Sequence, residues 1–134
     1  MKILVAYDGS KAAQRALDWT ARVGADARVC IISVAPTLEA TEKIRDAVDP
    51  TSDVSMHQHQ LEEAAAVLSR AGIKPSTMLK AGNPAEEIIE AASRGHYDMI
   101  VVGKHGMGAV RRFLIGSVAD RVVRHAKAPV LVVH

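Results

Sequence analysis

Hydrophobic positions along the chain follow two alternating rhythms: short uninterrupted apolar runs, and longer stretches in which apolar residues recur every three or four positions. The first run is Ile3, Leu4, Val5 and Ala6, and it stops at Tyr7, Asp8, Gly9 and Ser10. Ser10 can cap a helix in which Ala13, Ala16, Leu17, Thr20 and Ala21 fall at helical spacing. A second apolar run predicts a strand over residues 28–34, and Pro36 blocks its regular continuation. Residues 37–55 are rich in charge, contain Pro50 and show weak periodicity. They read as an irregular connection with a short helical turn over 42–47.

Periodicity returns with Leu61, Ala64, Ala65 and Leu68, which place one apolar stripe on a helix over about residues 54–71, ended by Gly72. A third strand follows over 74–80. Asn83 then caps a helix with Pro84 at its first position, Glu86 and Glu87 complement its positive end, and Ile88, Ile89 and Ala92 face inward. Residues 97–102 form a fourth strand, 117–126 a last helix and 129–133 a fifth strand. Strand and helix alternate throughout, which predicts an α/β fold: a three-layer, open, parallel five-stranded sheet with helices on both faces, in one domain over residues 1–134.

Composition agrees with this architecture. Hydrophobic residues make up 49% of the 134, yet only Tyr7, Trp19, Tyr97 and Phe113 are aromatic, so the core must be aliphatic, as suits helices packed on a parallel sheet. No apolar run approaches the ~20 residues of a membrane span, and the N-terminal residues lack the features of a signal peptide, so a cytoplasmic protein that does not engage membranes is expected. Cys30, the single cysteine, reads as a small buried filler within the second strand. A net charge of +2 is too small to argue for nucleic acid. Its distribution is uneven, because acids dominate residues 39–63 and cations residues 101–134, and most of these charges read as solvated helix faces. Lys104, Arg111 and Arg112 differ in lying within a glycine-rich loop.

That loop, residues 103–116, joins the fourth strand to the last helix. At fourteen residues it exceeds the usual ~2–6 of such connections. Ligands of open parallel sheets bind beyond the carboxyl ends of the strands, so this loop, the turn at Asp8, Gly9 and Ser10, and the segment Ser33, Val34 and Ala35 should converge on one crevice. Ala109 and Val110 stand where a Walker A loop requires Lys and Ser or Thr, and Arg111 occupies the third glycine position of the dinucleotide fingerprint. What remains is a backbone that can approach a ligand closely, ending at a helix N-terminus with the Ser117 hydroxyl, which suits phosphate. On residue types alone, Gly103, Gly106 and Gly108 could equally serve only to relieve tight turns.

Other chemistries fit poorly. His57 and His59 lie two apart, on different sides of a helix, and no carboxylate or cysteine pattern completes a metal site, so they read as solvated or locally bonded. Ser117 lacks the nucleophile elbow of a hydrolase, and Asp8 and Asp98 belong at opposite edges of the sheet.

The spacing Gly103-x2-Gly106-x9-Gly116-Ser117 resembles the ATP-binding pattern of the universal stress protein family, and residues 3–10 and 116–133 are similar to that family's first and last elements. The resemblance implies a Rossmann-like, adenine nucleotide alpha hydrolase-like fold that holds ATP, with Mg2+, and hydrolyses it slowly at most. By that likeness Asp8 and the backbone at Tyr7 border the adenosine, Val34 the adenine, and Val102 and Gly103 the base and ribose. Gly106, Gly116, Ser117 and Val118 hold phosphates. Lys104 departs from the small hydroxyl residue common there, and either neutralises phosphate or extends into water. Tyr7 replaces an aliphatic residue, and either packs on a base or is a half-buried residue at a strand end. The resemblance further implies a stress-response or regulatory module that dimerises through its last strand, Val130–Val133. The alternative is a family member that retains no nucleotide and acts through protein contacts.

Overall fold

A computed structural model describes residues 1–35, 50–106 and 115–134, with the backbone alone for 50–53. The helical turn expected at 42–47, and Gly108, Arg111 and Arg112, lie outside the described residues. In chain order the elements are β1 (Lys2–Ala6), α1 (Lys11–Val23), β2 (Arg28–Ala35), α2 (Pro50–Arg70), β3 (Ser76–Ala81), α3 (Pro84–Arg94), β4 (Met99–Gly103), α4 (Ser117–His125) and β5 (Val130–Val133). All strand pairings are parallel, in the order β3-β2-β1-β4-β5.

Side-chain alternation along the central strands builds the two faces of the sheet. Ile3 and Val5 of β1 pack with Val29 and Ile31 of β2 against Ala13, Ala16 and Leu17 of α1 and Leu61, Ala64 and Leu68 of α2. Leu4, Cys30 and Ile32 point the other way, onto Ala85, Ile88 and Ala92 of α3 and Ala119 and Val122 of α4. This is the expected three-layer arrangement, and Cys30 is a buried filler within it. Ile3, Leu4, Val5, Ile31, Ile100 and Val101 have no exposed surface. Burying each such side chain contributes roughly 1.5–3 kcal/mol, so the central strands form the most stable part of the sheet. None of the helices described is long and apolar enough to cross a membrane.

Two predicted caps form as read. Ser10 Oγ accepts from the Ala13 N–H at 3.1 Å, and Asn83 Oδ1 from the Glu86 N–H at 3.1 Å, with Pro84 opening α3. Strand and helix limits shift by one or two residues, as at β3 and β4. The larger correction is α2, which starts at Pro50 and not near residue 54. Proline has no N–H to donate, and the first turn of a helix is where that loss costs nothing, so Pro50 starts the helix that its presence seemed to exclude.

Tyr97 lies at the opposite end of the sheet from the ligand edge, under the Lys2 ammonium at 4.6 Å from its ring centre. Burial, reinforced by the neighbouring Cys30, pushes its phenol up to about 12. Asp98 accepts from the Lys2 N–H at 2.7 Å at that same edge, well separated from Asp8.

Candidate functional site

The strand order creates a switch point. From β1 the chain moves outward to β2 and β3, then returns to the other side of β1 as β4, so the turn after β1 feeds α1 on one face while the loop after β4 leads to α4 on the other. Diverging connections leave a crevice at the carboxyl ends of β1 and β4.

A cavity of about 940 Å3 occupies that crevice. The nine residues that the family resemblance assigns to the nucleotide line it, namely Tyr7, Asp8, Val34, Val102, Gly103, Gly106, Gly116, Ser117 and Val118, whereas Lys104 is not among the lining residues. The three strand ends expected to converge do so. The cavity also draws on residues that sequence reasoning missed, namely Met56, His57 and Gln60 of α2, Pro84 and Ile88 of α3, and His105 and Asp120. A signal for the first group was present, because His57 extends the Leu61, Ala64 and Leu68 stripe back by one turn.

The floor and rim are tied together by short contacts. Asp8 Oδ1 accepts from the Ser10 N–H at 2.9 Å, which folds the turn after β1 around the carboxylate. Ser10 Oγ, besides capping α1, donates to the His105 carbonyl at 3.4 Å, so the turn after β1 meets the loop after β4. The Lys104 N–H donates to the Val133 carbonyl and the Gly116 N–H to the Lys104 carbonyl, both at 2.7 Å. The main chain of Lys104 thereby joins the ends of β4 and β5 to the start of α4.

Space, not turn geometry, explains the described glycines of this loop, Gly103, Gly106 and Gly116. Gly103, Gly106 and Gly116 are not among the residues with positive φ. A Cβ on Gly103 would stand 2.8 Å from the backbone carbon and Cβ of Ala12, one on Gly106 2.8 Å from Asp8 Oδ2, and one on Gly116 3.0 Å from the Lys104 carbonyl oxygen. Gly103 therefore lets α1 lie directly on β4, while Gly106 and Gly116 bring the loop against Asp8 and against itself.

Helix α4 differs from its neighbours at its start. Gly116 is its N-cap and makes no side-chain capping bond, in contrast to Ser10 on α1 and Asn83 on α3. Its first residues, Ser117, Val118 and Ala119, line the cavity, so the positive end of the helix faces a space able to take an anion. Asp120, also in that turn, is paired with Arg124 Nε at 3.0 Å.

The opposite wall is largely apolar. Ile32, Val34, Met56 and Ile88 surround it, with one polar pair behind them: Ser33 Oγ and His57 Nδ1 lie 2.7 Å apart. Ser33 has no exposed surface, so its hydroxyl meets no ligand and instead orients the imidazole. His57 is thus buried and bonded to a residue 24 positions away, which corrects the reading of a solvated or locally bonded histidine. His59 does point into solvent, paired with Glu63 at 3.0 Å. Tyr7 is 7% exposed and packs in the core between the sheet and the helices α1 and α2, more deeply than a half-buried residue at a strand end. Burial raises its phenol above the ordinary value of 10.0, although a hydrogen bond from Gln14 acts the other way. Among the described residues no group of three His, Cys, Asp or Glu side chains is placed to hold a metal ion.

Sequence and structural comparisons agree with this fold. A universal stress protein of Thermus aquaticus is 35% identical over 136 aligned positions, covering 98% of this chain and 96% of its own length. Another, from Methanocaldococcus jannaschii, is 41% identical over 76 residues, a match to 57% of this chain and 45% of that protein. Among solved structures, the universal stress protein from Archaeoglobus fulgidus in complex with dAMP shares the fold with a TM-score of 0.78 at 24% identity, covering 100% of this chain and 98% of that one. The sequence profile of the universal stress protein family matches residues 1–134 in full, and the chain belongs to that family.

Proposed function

We propose that this cavity binds an adenine nucleotide, ATP with Mg2+, and that the protein is a regulatory or stress-response module in which hydrolysis is slow at most. The observation that carries the reading is the polarity of the cavity along the sheet. Parallel strands are spaced about 4.8 Å apart, so the ends of β2, β1 and β4 form a row roughly 10 Å long. Val34 and Met56 give an apolar slot for a flat base over β2. Asp8 stands over β1, where a ribose would follow. Gly106, Ser117 and Val118 gather backbone N–H groups and a hydroxyl at the phosphate end, where Gly116, its own N–H held by the Lys104 carbonyl, leaves room for a phosphate. A protein of the same fold is solved in complex with dAMP, which supports an adenine nucleotide as the ligand class.

Magnesium in this reading arrives on the phosphates. Asp8 and Asp120 are the acids among the described lining residues, and Asp120 is already paired with Arg124. Mg2+ characteristically keeps several waters and takes few protein ligands, so a chelated Mg2+ needs no dedicated cage. Calorimetric titration with ATP and Mg2+, alongside mass spectrometry of gently purified protein, tests the proposal. Binding at micromolar to sub-millimolar ATP is expected, weaker with inorganic triphosphate. No binding at millimolar ATP would favour action through protein contacts alone.

The same reading includes a homodimer formed through β5, which is an edge of the sheet. Leu131 on that strand is 36% exposed, and Val123 of α4 is 47% exposed. An exposed apolar edge strand is a template for pairing with a second copy. Val132 packs into the core beside α3 and α4, so Leu131 is the cleaner probe. Sedimentation of Leu131→Lys is expected to show a monomer where the unaltered chain shows a dimer, and an unchanged mass would remove β5 from the interface.

A further inference from the structure

Gln60 sits on α2, one turn beyond Met56, and its half-buried side chain reaches across to the turn after β1. Its amide is so close to Gly9 that a Cβ there would stand 2.7 Å from Gln60 Nε2. Gly9 adopts φ +83°, a left-handed conformation, and its missing side chain leaves the room that the amide fills. The amide oxygen, Gln60 Oε1, is buried and has no hydrogen-bond partner among the described residues. A second such atom, His105 Nδ1, belongs to the same cavity. Buried polar atoms are nearly always paired, so two unpaired atoms on side chains that line one cavity point to side chains that turn toward a bound molecule.

We infer that Gln60 is a specificity-determining residue of this cavity, one that reads the sugar of the bound nucleotide by hydrogen-bonding a ribose hydroxyl beside Asp8. The inference rests on the nucleotide reading given above. Its chemistry follows from position: Asp8 and Gln60 flank Gly9 over β1, the middle of the row, between the apolar slot and the phosphate end. A carboxylate accepts hydrogen bonds only, whereas a carboxamide both donates and accepts, and its terminal torsion is broad and roughly two-fold. A small rotation therefore turns either its oxygen or its NH2 group toward the sugar. The vicinal diol of ribose, with two adjacent hydroxyls that each donate and accept, matches this pair of groups. A deoxyribose lacks one of the two hydroxyls.

The test is calorimetric titration of the full chain with ATP, 2′-deoxy-ATP and 3′-deoxy-ATP, for the unaltered protein and for Gln60→Met and Gln60→Leu. The unaltered protein is expected to bind one of the deoxy analogues at least tenfold more weakly than ATP. Both variants should bind ATP at the level of that analogue while binding the analogue itself as the unaltered protein does. Variants that keep the original ratio of ATP to analogue would overturn the role of Gln60. So would an unaltered protein that binds all three alike, an outcome that leaves nucleotide binding standing and needs no variant to fold. Failure of the unaltered protein to bind any of the three would overturn both the nucleotide reading and this one.

Discussion

Replacing Gly103 with alanine is expected to lower the melting temperature by roughly 8 °C, measured by far-ultraviolet circular dichroism. Two effects oppose each other. Removing a glycine from a strand reduces the conformational freedom of the unfolded chain and stabilises by about 0.5–1 kcal/mol where the backbone allows it. The backbone of Gly103 does allow it, since its φ is not positive. Against that gain, the new Cβ would lie 2.8 Å from both the backbone carbon and Cβ of Ala12, and 2.9 Å from the Ala13 nitrogen. These atoms belong to the first turn of α1 and cannot swing aside as the end of a long side chain could. Overpacking of this kind costs about 3 kcal/mol, so the clash wins by roughly 2 kcal/mol, which for a domain of this size corresponds to ~4 °C per kcal/mol. Relief requires α1 to lift from β4, and Ser10 at its head would move with it. A melting temperature within 2 °C of the unaltered protein would show that the contact of α1 with β4 is looser than the geometry indicates.

The legibility of the chain follows the same physics. Elements with a strong period and a chemically distinct start, such as α1 behind Ser10 and α3 behind Asn83 and Pro84, were readable because local signals and tertiary packing agree there. Pro50 misled because a single proline has opposite meanings at the first turn and in the interior of a helix, and the weak periodicity around it could not decide between them. The strand ends and the glycine loop were legible as one site because parallel topology forces them to the same edge. The contribution of α2 was not. Pairing His57 with Ser33, or Gln60 with Gly9, requires knowing how a crossover helix lies on the sheet, and no spacing within 24 or 51 residues encodes that contact. The glycines show a further limit. Sequence reasoning could weigh ligand approach against turn geometry, whereas the contacts show a third cause at Gly103, the passage of a helix.

Gly106→Asp is expected to weaken ATP binding at least a hundredfold with little change in fold, while Gly106→Asn weakens it tenfold or less. The two side chains have nearly the same volume, so the difference isolates charge. A Cβ at position 106 would stand 2.8 Å from Asp8 Oδ2, and that neighbour is the far end of a flexible side chain, which can give way to either substituent. The carboxylate of the aspartate would lie close to the bound phosphates. Two unit charges ~4 Å apart interact by about 4 kcal/mol at the effective dielectric of a partly buried site, and a third of that remains even with generous solvent screening. That third, ~1.3 kcal/mol, is about tenfold, and multiplied by the up to tenfold steric loss shared with Gly106→Asn it reaches the hundredfold. Because part of the effect is Coulombic, raising ionic strength should recover some affinity in Gly106→Asp and none in Gly106→Asn. Calorimetric titration at two salt concentrations, with circular dichroism as the control for folding, reads all of these outcomes. Equal losses in both variants would mean that only bulk matters at residue 106, and no loss in either would mean that phosphates lie elsewhere in the cavity.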